Sequence, residues 1–208
     1  MGKPEYDYCG TGHEVSHSYL FPTIVKAVGN TPAGSTVLDP GCGNGSFLSL
    51  FKQQGWKLHG TDFSPSGIAI AQKQYPAIGF FLADAQSCVP EIKQHCGPVD
   101  LILSTEVIEH LYDPRGFLDT AFKVLRPGGK IVITTPYHGY LKNIMLAVTG
   151  KMDNHFTVTW DHGHIKFWSK KTLTFVLQEA GFNIERFGGS GRLPYLWKSM
   201  VIVAQKPS

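Results

Sequence analysis

Continuous apolar runs recur at 36–39, 57–62, 78–83, 99–104 and 130–135. Such runs suit strands buried on both faces of a parallel sheet. Segments of helical spacing separate them, at about 46–55, 65–75, 88–96 and 115–124. Ser64-Pro65 supplies an N-cap and first-turn pair for the second of these. Ahead of the first strand, Leu20, Ile24, Val25 and Val28 repeat with helical spacing, and Gly29-Asn30-Thr31-Pro32 closes that helix. Strand and helix alternation predicts an α/β, doubly wound sheet. Right-handed crossovers then bring every strand C-terminus to one edge, where such sheets bind ligands.

The alternation breaks from Pro136 to Lys166, before a helix from Ser169 to Ala180 ended by Gly181. A connection of about 30 residues is uncommon unless functional or disordered. With Tyr137, Tyr140, Met145, Met152, Phe156 and Trp160 and an amphipathic piece near Tyr140 to Val148, it is too apolar for disorder. It leaves the C-terminal end of the fifth strand and is expected to wall a pocket there. Phe182–Phe187 and Met200–Ala204 read as two last strands, linked by Gly188–Pro194.

The chemistry concentrates in Asp39-Pro40-Gly41-Cys42-Gly43-Asn44-Gly45-Ser46, between the first strand and the apolar start of a helix. Glycines there let the chain turn sharply and let a ligand approach closely. The spacing is G-x-G-x-G. It misses the dinucleotide fingerprint G-x-G-x-x-G, whose third glycine would be Ser46, and no lysine follows to make a phosphate loop. Asp39 would repel a pyrophosphate and suits a cationic ligand.

This segment resembles the first motif of the class I S-adenosylmethionine-dependent methyltransferases, and the likeness extends from about Ser35 to Lys206. Pro40 departs from it, since the family more often has a small aliphatic residue there. Leu58-His59-Gly60-Thr61-Asp62-Phe63 matches the second strand, with Asp62 about 20 residues past the loop, placed for ribose hydroxyls. Phe80-Phe81-Leu82-Ala83-Asp84-Ala85 matches the third, whose Asp meets the adenine amino group in the family. Val99–Glu106 matches the fourth, and Leu125-Arg126-Pro127-Gly128-Gly129-Lys130 the turn before the fifth. The resemblance implies a Rossmann-like seven-stranded sheet, mostly parallel with an antiparallel last strand, in three layers. It implies one methyltransferase domain over 1–208, with S-adenosylmethionine as cofactor. The residues expected to bind it are Asp39, Gly41, Cys42, Gly43, Asp62, Phe63, Asp84, Ala85, Thr105 and Glu106. Residues 1–34, with Tyr6, Tyr8, His13, His17 and Tyr19, form either a lid over the bound molecules or a docked helix with a frayed tail.

Methyl transfer from a sulfonium chiefly needs alignment, and a hydroxyl acceptor also benefits from a general base. Glu106-Val107-Ile108-Glu109-His110-Leu111 resembles the E-x-x-E-H segment of ubiquinone-biosynthesis O-methyltransferases and of small-RNA 2′-O-methyltransferases. The expected catalytic residues are His110, His164 and Glu109. No metal is assigned, although on a helical turn Glu106, Glu109 and His110 would share one face. In the resembled groups such residues can hold a divalent ion, and His162 or His164 would complete the set. A local cap for the Glu and a structural role for His164 are the plainer alternatives.

Composition narrows the partners. The 208 residues suit one large domain, and 42% hydrophobic content supports a full core. The net charge is only +3 and basic residues do not cluster, so no nucleic acid is expected. A small-molecule acceptor of aromatic or lipophilic kind is expected, from the 12% aromatic content and the resembled branch. Cys9, Cys42, Cys88 and Cys96 show no C-x-x-C pairing, which suits reduced thiols. The polar N-terminus and the lack of a run near 20 apolar residues predict a cytoplasmic chain with no membrane insertion. The expected activity is O-methylation with His-assisted deprotonation. A metal-dependent RNA 2′-O-methyltransferase and a non-catalytic S-adenosylmethionine-binding protein are the alternatives. Ser104-Thr105-Glu106-Val107 stands where N-P-P-Y or D-P-P-Y would mark some amino-group methylators.

Overall fold

A computed structural model describes residues 15–156, 159 and 163–208. Its centre is a seven-stranded sheet. The strands are β1 (Thr36–Pro40), β2 (Lys57–Asp62), β3 (Gly79–Leu82), β4 (Val99–Thr105), β5 (Leu125–Pro136), β6 (Asn183–Ser190) and β7 (Ser199–Gln205). They lie in the order β3-β2-β1-β4-β5-β7-β6. The first five pair in parallel, and β7 runs antiparallel to both β5 and β6. The helices are α1 (Val15–Val28), α2 (Pro65–Gln74), α3 (Val89–Cys96), α4 (Pro114–Val124), α5 (Tyr140–Val148), α6 (Met152–Phe156) and α7 (Lys170–Glu179).

Successive strand residues feed two separate cores, because side chains alternate across a sheet. Leu38, Ile102, Ile131, Ile133, Met200 and Ile202 pack with Phe117, Leu118, Leu173 and Leu177 of α4 and α7. Their neighbours Val37, Leu101, Leu103, Val132, Val201 and Val203 pack with Leu20 and Ile24 of α1 and with Phe51, Ile68 and Ala71. Both faces are therefore covered, which explains the uninterrupted apolar runs.

The N-terminal helix is docked over its described length. Leu20 and Ile24 are buried, Thr23 and Ser190 share a hydrogen bond of 2.7 Å, and Ser190 Oγ donates to the Tyr19 carbonyl. Tyr6, Tyr8, Cys9 and His13 of the expected lid lie outside the described residues.

Three expected elements take a different form. The helix expected at 46–55 is a 3-10 helix over Leu48–Gln54. Asn44 Oδ1 accepts from Ser46 N, Phe47 offers no capping acceptor, and Leu50 N reaches back only to Phe47 O. The turn at Arg126–Gly129 is a bulge inside a longer β5, since Leu125 pairs with Val99 and Lys130 with Leu101. Gly188 and Gly189 belong to β6 rather than to a link, pairing with Val201 and Met200. A Cβ at Gly189 would collide with the Trp197 indole, so glycine permits that packing.

Candidate functional site

Every second residue of the glycine loop sits at positive φ: Gly41 at 85°, Gly43 at 54° and Gly45 at 74°. That is the physical content of G-x-G-x-G. The loop is sewn onto the end of β2. Gly41 N and Cys42 N both donate to the Thr61 carbonyl, at 2.7 and 3.0 Å, and Gly43 N donates to Asp62 Oδ2 at 2.9 Å. These amides are spent inside the protein and do not form a phosphate cradle. The room that glycine leaves is also partly filled from within. A Cβ on Gly41 would meet Val107, and one on Gly45 would meet Phe80.

Two carboxylates face this loop. Asp39 is buried, and desolvation followed by the charge of Asp62 pushes its pKa up to about 8. Burial also raises Asp62, against the hydrogen bonds it accepts from Ser64 and Gly43. Asp62 Oδ1 takes Ser64 N at 2.9 Å, so each oxygen holds one amide and keeps acceptor capacity for a ligand. Cys42 is an inert neighbour, its thiol pushed well up by burial and by the two aspartates. Phe63 is half exposed beside Asp62. Asp84 lies just beyond β3, its Oδ1 accepting from Gln86 N and Nε2 at 3.1 and 3.2 Å, and Ala85 is buried.

The end of β4 departs from the expected geometry. Glu106 has φ 53°, a left-handed conformation that costs a non-glycine residue free energy and recurs at functional sites. Its amide donates to Thr134 O, and its Oε2 accepts from Ser199 Oγ at 3.1 Å. The turn that follows is 3-10 and covers only Ile108–His110. Glu106 therefore does not share a helical face with Glu109 and His110. The compact group is Glu109, His110 and His164, whose ligand atoms lie within 4.8 Å of one another.

The chain segment after residue 162 builds that group. Ile165 N and Lys166 N both donate to the Glu109 carbonyl at 3.0 Å, and Trp168 Nε1 donates to the Ile108 carbonyl. His110 Nδ1 lies 3.3 Å from the Gly163 carbonyl, and its ring meets that of His164 at 5.0 Å. A carbonyl partner selects the Nδ1–H tautomer and leaves Nε2 as the basic nitrogen. Glu109 is wholly buried, and among the described residues no hydrogen bond of ordinary geometry reaches its carboxylate oxygens, although the Thr135 hydroxyl lies near enough to work against the rise in its pKa. Burial, then the charge of Glu106, raises its pKa well above the usual range. Burial and the nearby His110 lower His164 to about 4. His162, Trp160 and Asp161 lie outside the described residues.

Residues 12–186 match the methyltransferase domain family. The chain belongs to the class I S-adenosylmethionine-dependent methyltransferases. It is 27% identical to a probable S-adenosylmethionine-dependent methyltransferase of Mycolicibacterium smegmatis, over 88% of this chain and 63% of that protein. It is 35% identical to a ubiquinone biosynthesis O-methyltransferase of Caulobacter sp. strain K31, over 59% of this chain and 49% of that one. It thus spans about half to two-thirds of these relatives' length. Magnesium protoporphyrin IX methyltransferase of Synechocystis PCC 6803, solved with SAH bound, shares the fold. That likeness has a TM-score of 0.64 and 18% identity, over 92% of this chain and 82% of that one.

S-adenosylmethionine, the cofactor of this family, fits these residues. Asp62 has acceptor capacity left for a diol, Asp39 is a buried carboxyl that a cation would ionise, and Ser104 Oγ and Thr105 Oγ1 at the end of β4 are buried without partners among the described residues. Some site features were not anticipated from sequence. Lys142, His138 and His155 gather on the 136–156 stretch, where Lys142 also feels the charge of Glu106. Burial, with repulsion from neighbouring cationic groups, lowers His138 and His155 to about 4 and Lys142 to about 8. The signal was Lys142 and Asn143 side by side in a helix otherwise made of apolar residues and Tyr140.

Proposed function

We propose that the chain is a methyltransferase that moves the methyl group of S-adenosylmethionine to an oxygen of a small-molecule acceptor. The observation that carries this is the bond from Gly43 N to Asp62, which joins the glycine loop and the ribose-side acid into one seat. S-adenosylmethionine supplies an electrophilic methyl group on a sulfonium that leaves as a neutral thioether. Asp62 holds the ribose hydroxyls, Asp84 and Phe63 border the base, and Asp39 faces the cationic end. Glycines 41 and 43, with Cys42, shape the floor, and Ala85, Thr105 and Glu106 complete the rim. His110 Nε2 takes the acceptor's hydroxyl proton. His164, its proton affinity lowered by burial and by His110, packs edge-on against the His110 ring and helps to orient it. The chain forms one catalytic unit, with residues 15–34 and the described part of 136–168 bounding the acceptor pocket, in a cytoplasmic setting that suits the free thiols Cys42, Cys88 and Cys96. No helix among the described residues is long and apolar enough to cross a membrane.

Calorimetry with S-adenosylhomocysteine tests the seat, with a dissociation constant in the micromolar range expected. No binding at that level overturns the proposal. The pH dependence is specific. Asp39 binds a proton in the folded, ligand-free chain below about pH 8, whereas unfolded it ionises near 3.8. The folded state thus holds more protons between these values, and stability falls as pH rises through the window. A cation seated beside Asp39 restores its ionised form and releases a proton. Affinity is therefore expected to rise towards pH 8, by up to about tenfold per pH unit. Asp39→Asn should flatten both slopes, as titrations and thermal melts at pH 5 to 8 would read.

A second mode of acceptor activation rests on Glu109, His110 and His164. One buried carboxylate and two imidazoles at this spacing suit a divalent ion with mixed oxygen and nitrogen ligands. An ion there would supply Lewis acidity to the acceptor oxygen. Elemental analysis of the pure protein decides it: one equivalent of bound metal, lost in His164→Ala, is the supporting result. No metal together with turnover indifferent to chelator refutes it.

A further inference from the structure

Helix α5 is inside out. Tyr140, Leu141, Ile144, Met145 and Val148 are exposed, whereas Lys142 is the residue it buries, at 5% exposure. Burying an ammonium group is costly unless something compensates it. Lys142 Nζ donates to the Lys198 carbonyl at 3.3 Å, a long hydrogen bond that uses one of three donors. Its surroundings are mainly cationic or basic: Arg192 depresses its proton affinity, and Glu106 works the other way. His138 is nine-tenths buried beside it, with Nδ1 unpartnered among the described residues, and Asn143 Oδ1 on the same helix is buried without a partner. Lys142 and Arg192 line a cavity of about 400 Å³ whose remaining wall includes Met145, Leu146, Leu193 and Leu196. That volume suits a small molecule with one polar end. The cavity adjoins the transfer site, because Lys198, which accepts the Lys142 bond, precedes Ser199, which bonds Glu106.

We propose that this cavity takes an acidic methyl acceptor, its carboxylate or phosphate held by Lys142 and Arg192 and its apolar body lying on Met145, Leu146, Leu193 and Leu196. This rests on the methyltransferase function above and narrows its acceptor to amphiphilic acids. A buried cation and an exposed one at one end and an apolar wall at the other orient such a molecule, leaving its hydroxyl towards Glu106 and His110. A neutral or cationic amphiphile of the same shape would leave Lys142 buried and uncompensated, so the cavity selects against it.

The test is calorimetry of the full chain with S-adenosylhomocysteine present, using 4-octylbenzoate, 4-octylphenyl phosphate, 4-octylphenol and 4-octylaniline. At least one acid should bind about tenfold or more tightly than the phenol, and the amine least tightly. The carboxylate and phosphate arms show which head group is preferred. Lys142→Met and Arg192→Met should each abolish the acid preference and leave the phenol's affinity unchanged, and Lys142→Arg should restore it. Arg192 is exposed, so its variant decides the matter if Lys142→Met fails to fold. Equal binding of acids and phenol, or a preference that survives Arg192→Met, overturns the proposal. Donor binding is measured in the same titrations. S-adenosylhomocysteine binding without acid preference refutes this proposal alone, and acid preference without donor binding refutes the methyltransferase function and the acceptor role with it.

Discussion

Asp62→Ala is expected to abolish donor binding at practical concentrations, raising the dissociation constant for S-adenosylhomocysteine by about 10²- to 10⁴-fold. That range follows from losing two hydrogen bonds to a charged acceptor, each contributing about 1.5–3 kcal/mol. The same substitution strips the protein-side partners from Gly43 N and Ser64 N, two buried bonds of 2.9 Å. Orphaned buried amides cost about 1–3 kcal/mol each, so the ligand-free melting temperature should also fall. Asp62→Asn separates the two losses. Its single carbonyl oxygen can still accept one amide, so stability should lie between that of the wild type and the alanine variant, while diol recognition by a carboxylate is gone. Thermal melts and calorimetry on the three proteins read both effects. An alanine variant that binds within a few-fold of the wild type would move the donor seat away from Asp62.

The scaffold was written in local pattern, and the working geometry was not. The β4 and β5 runs and the G-x-G-x-G spacing each encode their own conformation: buried strands are largely apolar, and left-handed loop positions are glycines. The order of Asp39, Asp62 and Asp84 after successive strands then fixed which edge they share. What failed depended on capping detail in one place and on partners far along the chain in the others. The helix expected at 46–55 tightened to a 3-10 form because Asn44 and Phe47 start it poorly, a detail of capping rather than periodicity. Glu106 was expected on a helical face with Glu109, yet its amide is held by Thr134 on the next strand and its backbone turns left-handed. The stretch near Tyr140 to Val148 reads as amphipathic, which places its lysine, Lys142, on the solvent side by default. Only the packing of that helix against Lys198 and Arg192 turns it inward, and hydrophobic periodicity carries no information on which face another element covers.

His110→Ala is expected to lower turnover by about 10²- to 10⁴-fold with little change in S-adenosylhomocysteine affinity, the range typical of losing a positioned general base. His110 stands on a turn whose carbonyls are clamped by Ile165, Lys166 and Trp168, so the alanine variant should keep its fold and its donor seat. Glu109→Gln then separates the two modes of acceptor activation. Burial and Glu106 hold the Glu109 carboxyl towards its protonated form. A protonated carboxyl and an amide have similar size, and each presents one carbonyl and at least one donor. If His110 works as a base without an ion, glutamine is a close replacement, and turnover should stay within a few-fold of the wild type. If Glu109, His110 and His164 hold a divalent ion, the carboxylate charge is indispensable and glutamine should cost as much as alanine at His110. Steady-state rates of the two variants, measured beside their metal content, assign the proton's destination. Full turnover in His110→Ala would leave alignment of acceptor and methyl group as the source of the rate, with no side chain required as base.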